Sequence, residues 1–134
     1  MDTSAYLEHH IDLFRRGDGG AAFFGLVGSG RSLVAPLVNA FRSETDSAVK
    51  AFLVEVLWQQ RDPSAIPVLG EALHDNHQQV WQEALNGLVT LASRDAIKVM
   101  QRARLRGFQS EKSARQFLVY LEEAIEQAEA ALGT

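Results

Sequence analysis

The sequence predicts an all-α fold, an α-solenoid of stacked antiparallel helical hairpins. Three observations carry this. Apolar residues recur at i, i+3, i+4 and i+7, as in Val49, Phe52, Leu53, Val56, Leu57 and in Ala114, Phe117, Leu118, Leu121, Ile125. No stretch alternates in the manner of a strand. The pattern also repeats at a spacing of 31 residues: Ala35, Ile66 and Ile97 fall together, as do Val38, Leu69 and Met100, and Val49, Leu53, Leu57 align with Val80, Ala84, Leu88. A period of that length signals helical units that bury their apolar faces by stacking.

The periodicity places eight helices, at 3–16, 20–28, 31–43, 46–60, 63–74, 77–92, 95–106 and 110–131. Pro36 and Pro67 sit early in their helices, where a missing N–H costs little. Asp62 before Pro63 reads as an N-cap followed by a proline start. Asn76 with Gln79 reads as a capping box, and Ser110 before Glu111 opens the last helix. With 134 residues, 46% hydrophobic and 22% charged, the chain reads as one domain: a capping helix at 1–19, repeats over 20–107 and a long C-terminal helix at 108–134. A right-handed stack of about three hairpins is expected.

Bulk properties narrow the chemistry. There is no cysteine, which removes disulfides and thiolate metal sites. Net charge is −4, so the whole-molecule field does not favour nucleic acid or anionic membranes. No apolar run approaches the roughly 20 residues of a membrane span. The opening MDTSAYLEHHIDLFRR lacks the basic and apolar regions of a signal peptide, and a cytoplasmic location is expected.

Residues 64–92, SAIPVLGEALHDNHQQVWQEALNGLVTLA, resemble the HEAT-repeat family, in particular short bacterial repeats similar to those of phycobilisome lyases. The resemblance rests on Ala65, Ile66, Pro67, Leu69, Ala72, Leu73, Asp75, Val80, Ala84 and Leu88, and extends more loosely over 20–125. The arginine usual after the turn valine is Trp81 here, and Lys50 one unit earlier. The resemblance implies a binding surface. It also brings in a lyase-like or chromophore-loading helper as an alternative. Family enzymes that hold iron with His-Glu pairs on their repeat helices have no counterpart here, because Glu8 and His9 lie outside the repeats.

Four local signals need weighing. Gly25, Gly30, Arg31 and Ser32 lie one letter from the phosphate loop G-x-x-x-x-G-K-[ST]. The other inter-repeat turns, WQQRDPSA and LASRDA, need no such glycines, and neither strand nor lysine is present, so a turn is expected. His9, His10, His74 and His77 invite a metal reading, but lack evident convergence; no metal and no cofactor are expected. The acidic run Glu122, Glu123, Glu126, Glu129 reads as the soluble face of a terminal helix. No nucleophile with a base is evident, and a non-enzyme is expected.

The positive signals concern binding. Arg94, Lys98, Arg102 and Arg106 recur every four residues as one helical stripe. Over 94–115 seven basic residues face two acidic ones, a local +5 that leaves −9 for the rest of the chain. The stripe is either a solvated face or a grip on phosphates or acidic protein. The second helices of the units line the concave side of such stacks. This places Lys50, Glu55, Trp58, Gln78, Trp81, Gln82, Asn86, Arg115 and Tyr120 on one face. Trp81 is either an exposed hot spot ringed by amides or a core residue; Trp58 reads as core. The expected function is a non-catalytic module binding another protein, as an adaptor or as an immunity protein neutralising a basic toxin. Nucleic-acid binding through the stripe ranks behind it, and no membrane partner is expected.

Overall fold

A computed structural model of the chain describes residues 2–27 and 31–133. Among them the secondary structure is helical, with no strand: α1 Thr3–Arg15, α2 Gly19–Leu26, α3 Val34–Ser43, α4 Ser47–Gln59, α5 Ile66–Ala72, α6 Gln78–Leu91, α7 Arg94–Arg102 and α8 Glu111–Leu132. Short 3₁₀ turns, Arg31–Leu33, Pro63–Ala65 and Ala103–Leu105, adjoin α3, α5 and α7. The all-α class and the eight expected helices are therefore present, with some expected ends tightened into 3₁₀ geometry.

The chain forms two compact units, Met1–Ala65 and Ile66–Thr134. In the first, α1 packs on α2 through a tight approach. The ring of His10 presses on the backbone of Gly25: a Cβ there would lie 2.1 Å from His10 Nε2. His10 Nδ1 meets the Tyr6 carbonyl oxygen at 2.8 Å, and the Tyr6 hydroxyl donates to the Gly25 carbonyl. Gly25 thus lies within a helix and serves helix packing. Gly30, the second glycine of the phosphate-loop match, lies outside the described residues. Farther along, Phe14 of α1 stacks on Phe52 of α4 with centroids 4.3 Å apart. Leu7, Leu26, Leu37, Phe41, Leu53 and Leu57 complete this core.

In the second unit α5 to α8 enclose Leu69, Leu73, Val80, Leu88, Met100, Phe117 and Leu121. Gly70 admits α7 closely; a Cβ there would stand 2.7 Å from Val99 Cγ1. Ser110 caps α8 by accepting from Ser113 N at 3.1 Å, as expected, and Asp62 accepts from Ser64 N at 3.0 Å. The Asn76 and Gln79 capping box does not form as the opening of α6. Its N-cap is His77, with no side-chain cap bond. Asp75 Oδ1 instead accepts from His77 N at 2.9 Å and pairs with His77 Nδ1 at 3.0 Å, so Asp75, one residue before Asn76, fixes the turn.

The repeat register also needs correction. Ala35 is exposed and Val38 half-buried, while the buried series of α3 is Val34, Leu37, Phe41. It matches Ile66, Leu69, Leu73 at a spacing of 32. The second helices keep 31: Val49, Leu53 and Leu57 are buried, as are Val80, Ala84 and Leu88. One additional residue therefore lies between Phe41 and Val49 relative to Leu73 and Val80. Because both registers preserve helical spacing, only burial distinguishes them.

Two outcomes check this packing. Gly25→Ala should lose about 1–3 kcal/mol from overpacking, and His10→Ala should restore part of that loss in a double-mutant cycle read by urea midpoints. Ala92 ends α6 at φ 42° without being glycine, so Ala92→Gly should stabilise the chain by about 1 kcal/mol in the same titration.

Candidate functional site

The second unit gathers amides, aromatics and one cation where α6 meets α8. Gln116 Nε2 donates to Gln78 Oε1 at 3.1 Å, and Gln78 Nε2 donates to Gln82 Oε1 at 3.3 Å. Three carboxamides thus form one directional relay from α8 to α6. Its ends are the Gln116 oxygen, an acceptor, and the Gln82 nitrogen, a donor.

An aromatic stack lies beside the relay. Trp81 is buried, 5% exposed, with Phe117 edge-on at 5.1 Å and Tyr120 tilted at 5.8 Å. Of the two readings of Trp81, exposed hot spot or core residue, its burial agrees with the core residue. The repeat alignment placed Trp81 just off the core stripe of α6, but α8 supplies two rings that cover it. The exposed aromatic is Tyr120, at 38%, which rests on Trp81 beneath it.

Arg106 holds this end of the unit together. Its Nη1 donates to the carbonyls of Leu73 at 2.6 Å and Asp75 at 3.1 Å, and its Nε donates to Gly107 O at 3.2 Å. The guanidinium lies 4.3 Å from the Phe108 ring centroid and 5.0 Å from that of Phe117. Burial draws its pKa down from the ordinary arginine value, and the Asp75 carboxylate opposes that shift. It satisfies carbonyls just past the end of α5, where a cation is also favoured by the helix dipole.

This placement breaks the four-residue basic stripe. Arg94, Lys98 and Arg102 share α7, but the helix closes at Arg102 and a 3₁₀ turn follows, so Arg106 leaves the series in extended backbone. Arg104 likewise turns to α8, meeting Glu122 at 2.6 and 3.0 Å.

The nine residues expected on one face divide between the units. Lys50, Glu55 and Trp58 lie half-buried on α4 in the first. There Lys50 Nζ stands 5.5 Å from the Phe41 ring centroid, and the Arg61 guanidinium stands 5.6 Å from that of Trp58. In the second unit Gln78, Trp81, Gln82 and Tyr120 come together. Arg115 is exposed on α8, and Asn86 is exposed farther along α6. Sequence reasoning missed Gln116 and Phe108. Gln116 was accessible in principle, since it lies four residues before Tyr120 and flanks buried Phe117.

A recess of ≈ 60 Å³ opens here, lined by Gln78, Trp81, Arg106, Phe108, Ser113 and Gln116 among others. That is far below the roughly 300–1,000 Å³ of small-molecule sites, and suits one side chain of a larger partner. Among the described residues no group of three or more His, Cys, Asp or Glu could hold a metal ion. His10 is a packing residue, and His77 binds Asp75. No helix among them is long and apolar enough to cross a membrane.

The family model for HEAT repeats matches residues 34–118. No curated protein and no solved structure matches the chain. The narrower likeness to phycobilisome lyases is not part of what that match shows.

The Arg106 contacts yield a test. Arg106→Ala should cost about 2–4 kcal/mol, combining charge-assisted hydrogen bonds and ring stacking. Arg106→Lys should recover less than half of it, because an ammonium cannot stack and span both carbonyls. Thermal unfolding of the three proteins decides.

Proposed function

Since the chain belongs to the HEAT-repeat family, whose repeats are generally non-catalytic and mediate protein–protein interaction, we propose that it is a binding module whose partner docks on the α6 and α8 face of the second unit. The observation that carries this is the carboxamide relay Gln116, Gln78, Gln82 beside half-exposed Tyr120. A relay with one free-ended acceptor and one donor complements the donor and acceptor of a peptide group. A tyrosine fixed on a buried tryptophan offers apolar area and a hydroxyl at little entropic cost, as interface anchors do. Arg115 on the same helix adds an exposed cation. The family match crosses the boundary between the two units, which supports reading 1–134 as a single repeat domain.

Two finer roles fit this reading. An adaptor needs only the face. An immunity protein for a basic toxin draws support from the net charge of −4, which speeds encounter with a cationic partner. The lyase-like alternative draws none from a recess of ≈ 60 Å³.

The test retains partners from nuclease-treated lysate on wild type, Tyr120→Ala and Gln78→Ala, then measures the purified pair. One stoichiometric protein bound at least tenfold more weakly by Tyr120→Ala, with helix content unchanged by circular dichroism, is expected. Equal binding by both variants sinks the assignment of this face.

A further inference from the structure

A second surface lies on the other flank of α8. A groove between α7 and α8 is lined by Arg94, Ile97, Lys98, Gln101, Glu129 and Leu132. Its floor is apolar: Ile97 is 8% exposed and Leu132 36%. Its walls carry opposite charge. Arg94, Lys98 and Arg102 run along exposed α7, and none makes a salt bridge among the described residues. On α8, Glu129 lines the groove, already in the field of the Arg104 guanidinium, and Glu126 stands exposed one turn before it.

We propose that this groove is a self-association surface that takes a second copy of the same chain. A groove with one cationic and one anionic wall complements itself about a twofold axis lying along its length. That rotation exchanges the walls, so α7 of one copy faces α8 of the other, and the two apolar floors meet between them. Such an isologous contact closes at two copies. A twofold axis across the groove sets like charge against like and is disfavoured, so electrostatics also selects the orientation. Other occupants fit less well. A foreign acidic helix, or a nucleic acid, satisfies the α7 wall but meets repulsion from Glu126 and Glu129. Only a partner with both signs in this order satisfies both walls, and this chain carries that order itself. The surface is separate from the α6 and α8 face and does not rest on it.

Sedimentation equilibrium tests the proposal on the full chain. Wild type at up to about 0.5 mM should dimerise at about 20 mM salt and weaken at least tenfold at about 0.5 M, where screening shortens to a few ångströms. Two charge-reversed proteins follow: Arg94→Glu with Lys98→Glu, and Glu126→Lys with Glu129→Lys. Each alone should be monomeric, because both of its walls then carry one sign. Mixed in equal amounts they should form a heterodimer, which no folding defect can produce. A wild type that stays monomeric at low salt overturns the proposal, as does association indifferent to salt or failure of the mixture to pair. A labelled acidic amphipathic peptide and a DNA duplex are titrated alongside. Binding of either to a wild type that remains monomeric also overturns it and assigns the α7 wall to that occupant.

Discussion

The guanidinium of Arg106 is the constraint on which the second unit depends. A single cation donates to two carbonyls past the end of α5, those of Leu73 and Asp75. The same group lies over Phe108 and Phe117, so it ties the turn after α5 to the approach and body of α8. With α8 held there, Phe117 and Tyr120 reach Trp81 and Gln116 reaches Gln78. The amide and aromatic face is a product of that tie. A half-buried arginine is sustainable because it is hydrogen-bonded on one edge and stacked on its plane.

That dependence also separates the two flanks of α8. One flank presents mainly carboxamides and rings around half-buried Arg106, and the carboxamide hydrogen bonds are directional and little affected by salt. The other is built by full charges on α7 and α8 that are exposed and screened. The two proposed surfaces of this one helix thus differ in physical character.

Much of the architecture was legible in the sequence, because helical periodicity and caps are local signals. Ser110 opens α8 through its own side chain, and the last helix ends at Leu132, one residue from expectation. What was not legible depended on contacts between helices. Trp81 is flanked by polar letters, yet is buried by rings 36 and 39 residues later. Arg106 continues a four-residue spacing on paper, yet the helix stops before it. The close approach of His10 to Gly25 joins two residues that no spacing rule connects. Of the proposed face, Gln78, Gln82 and Tyr120 were readable from helix position, whereas the line from Gln116 to Gln78 needed two helices in register.

The unequal spacing of the units, 32 between α3 and α5 but 31 between α4 and α6, bears on how such a gene can grow or shrink. Recombination between neighbouring repeats deletes or duplicates one period. An exchange aligned on the 31-residue match inside the second helices joins two segments in phase. The same exchange between α3 and α5 places the incoming segment one residue out, a rotation of about 100°. It would turn Val34, Leu37 and Phe41 or their counterparts away from the core. At that spacing in-phase breakpoints fall in α4 with α6, and in α5 with α7, where Ile66 and Leu69 match buried Ile97 and Met100, but not in α3 with α5.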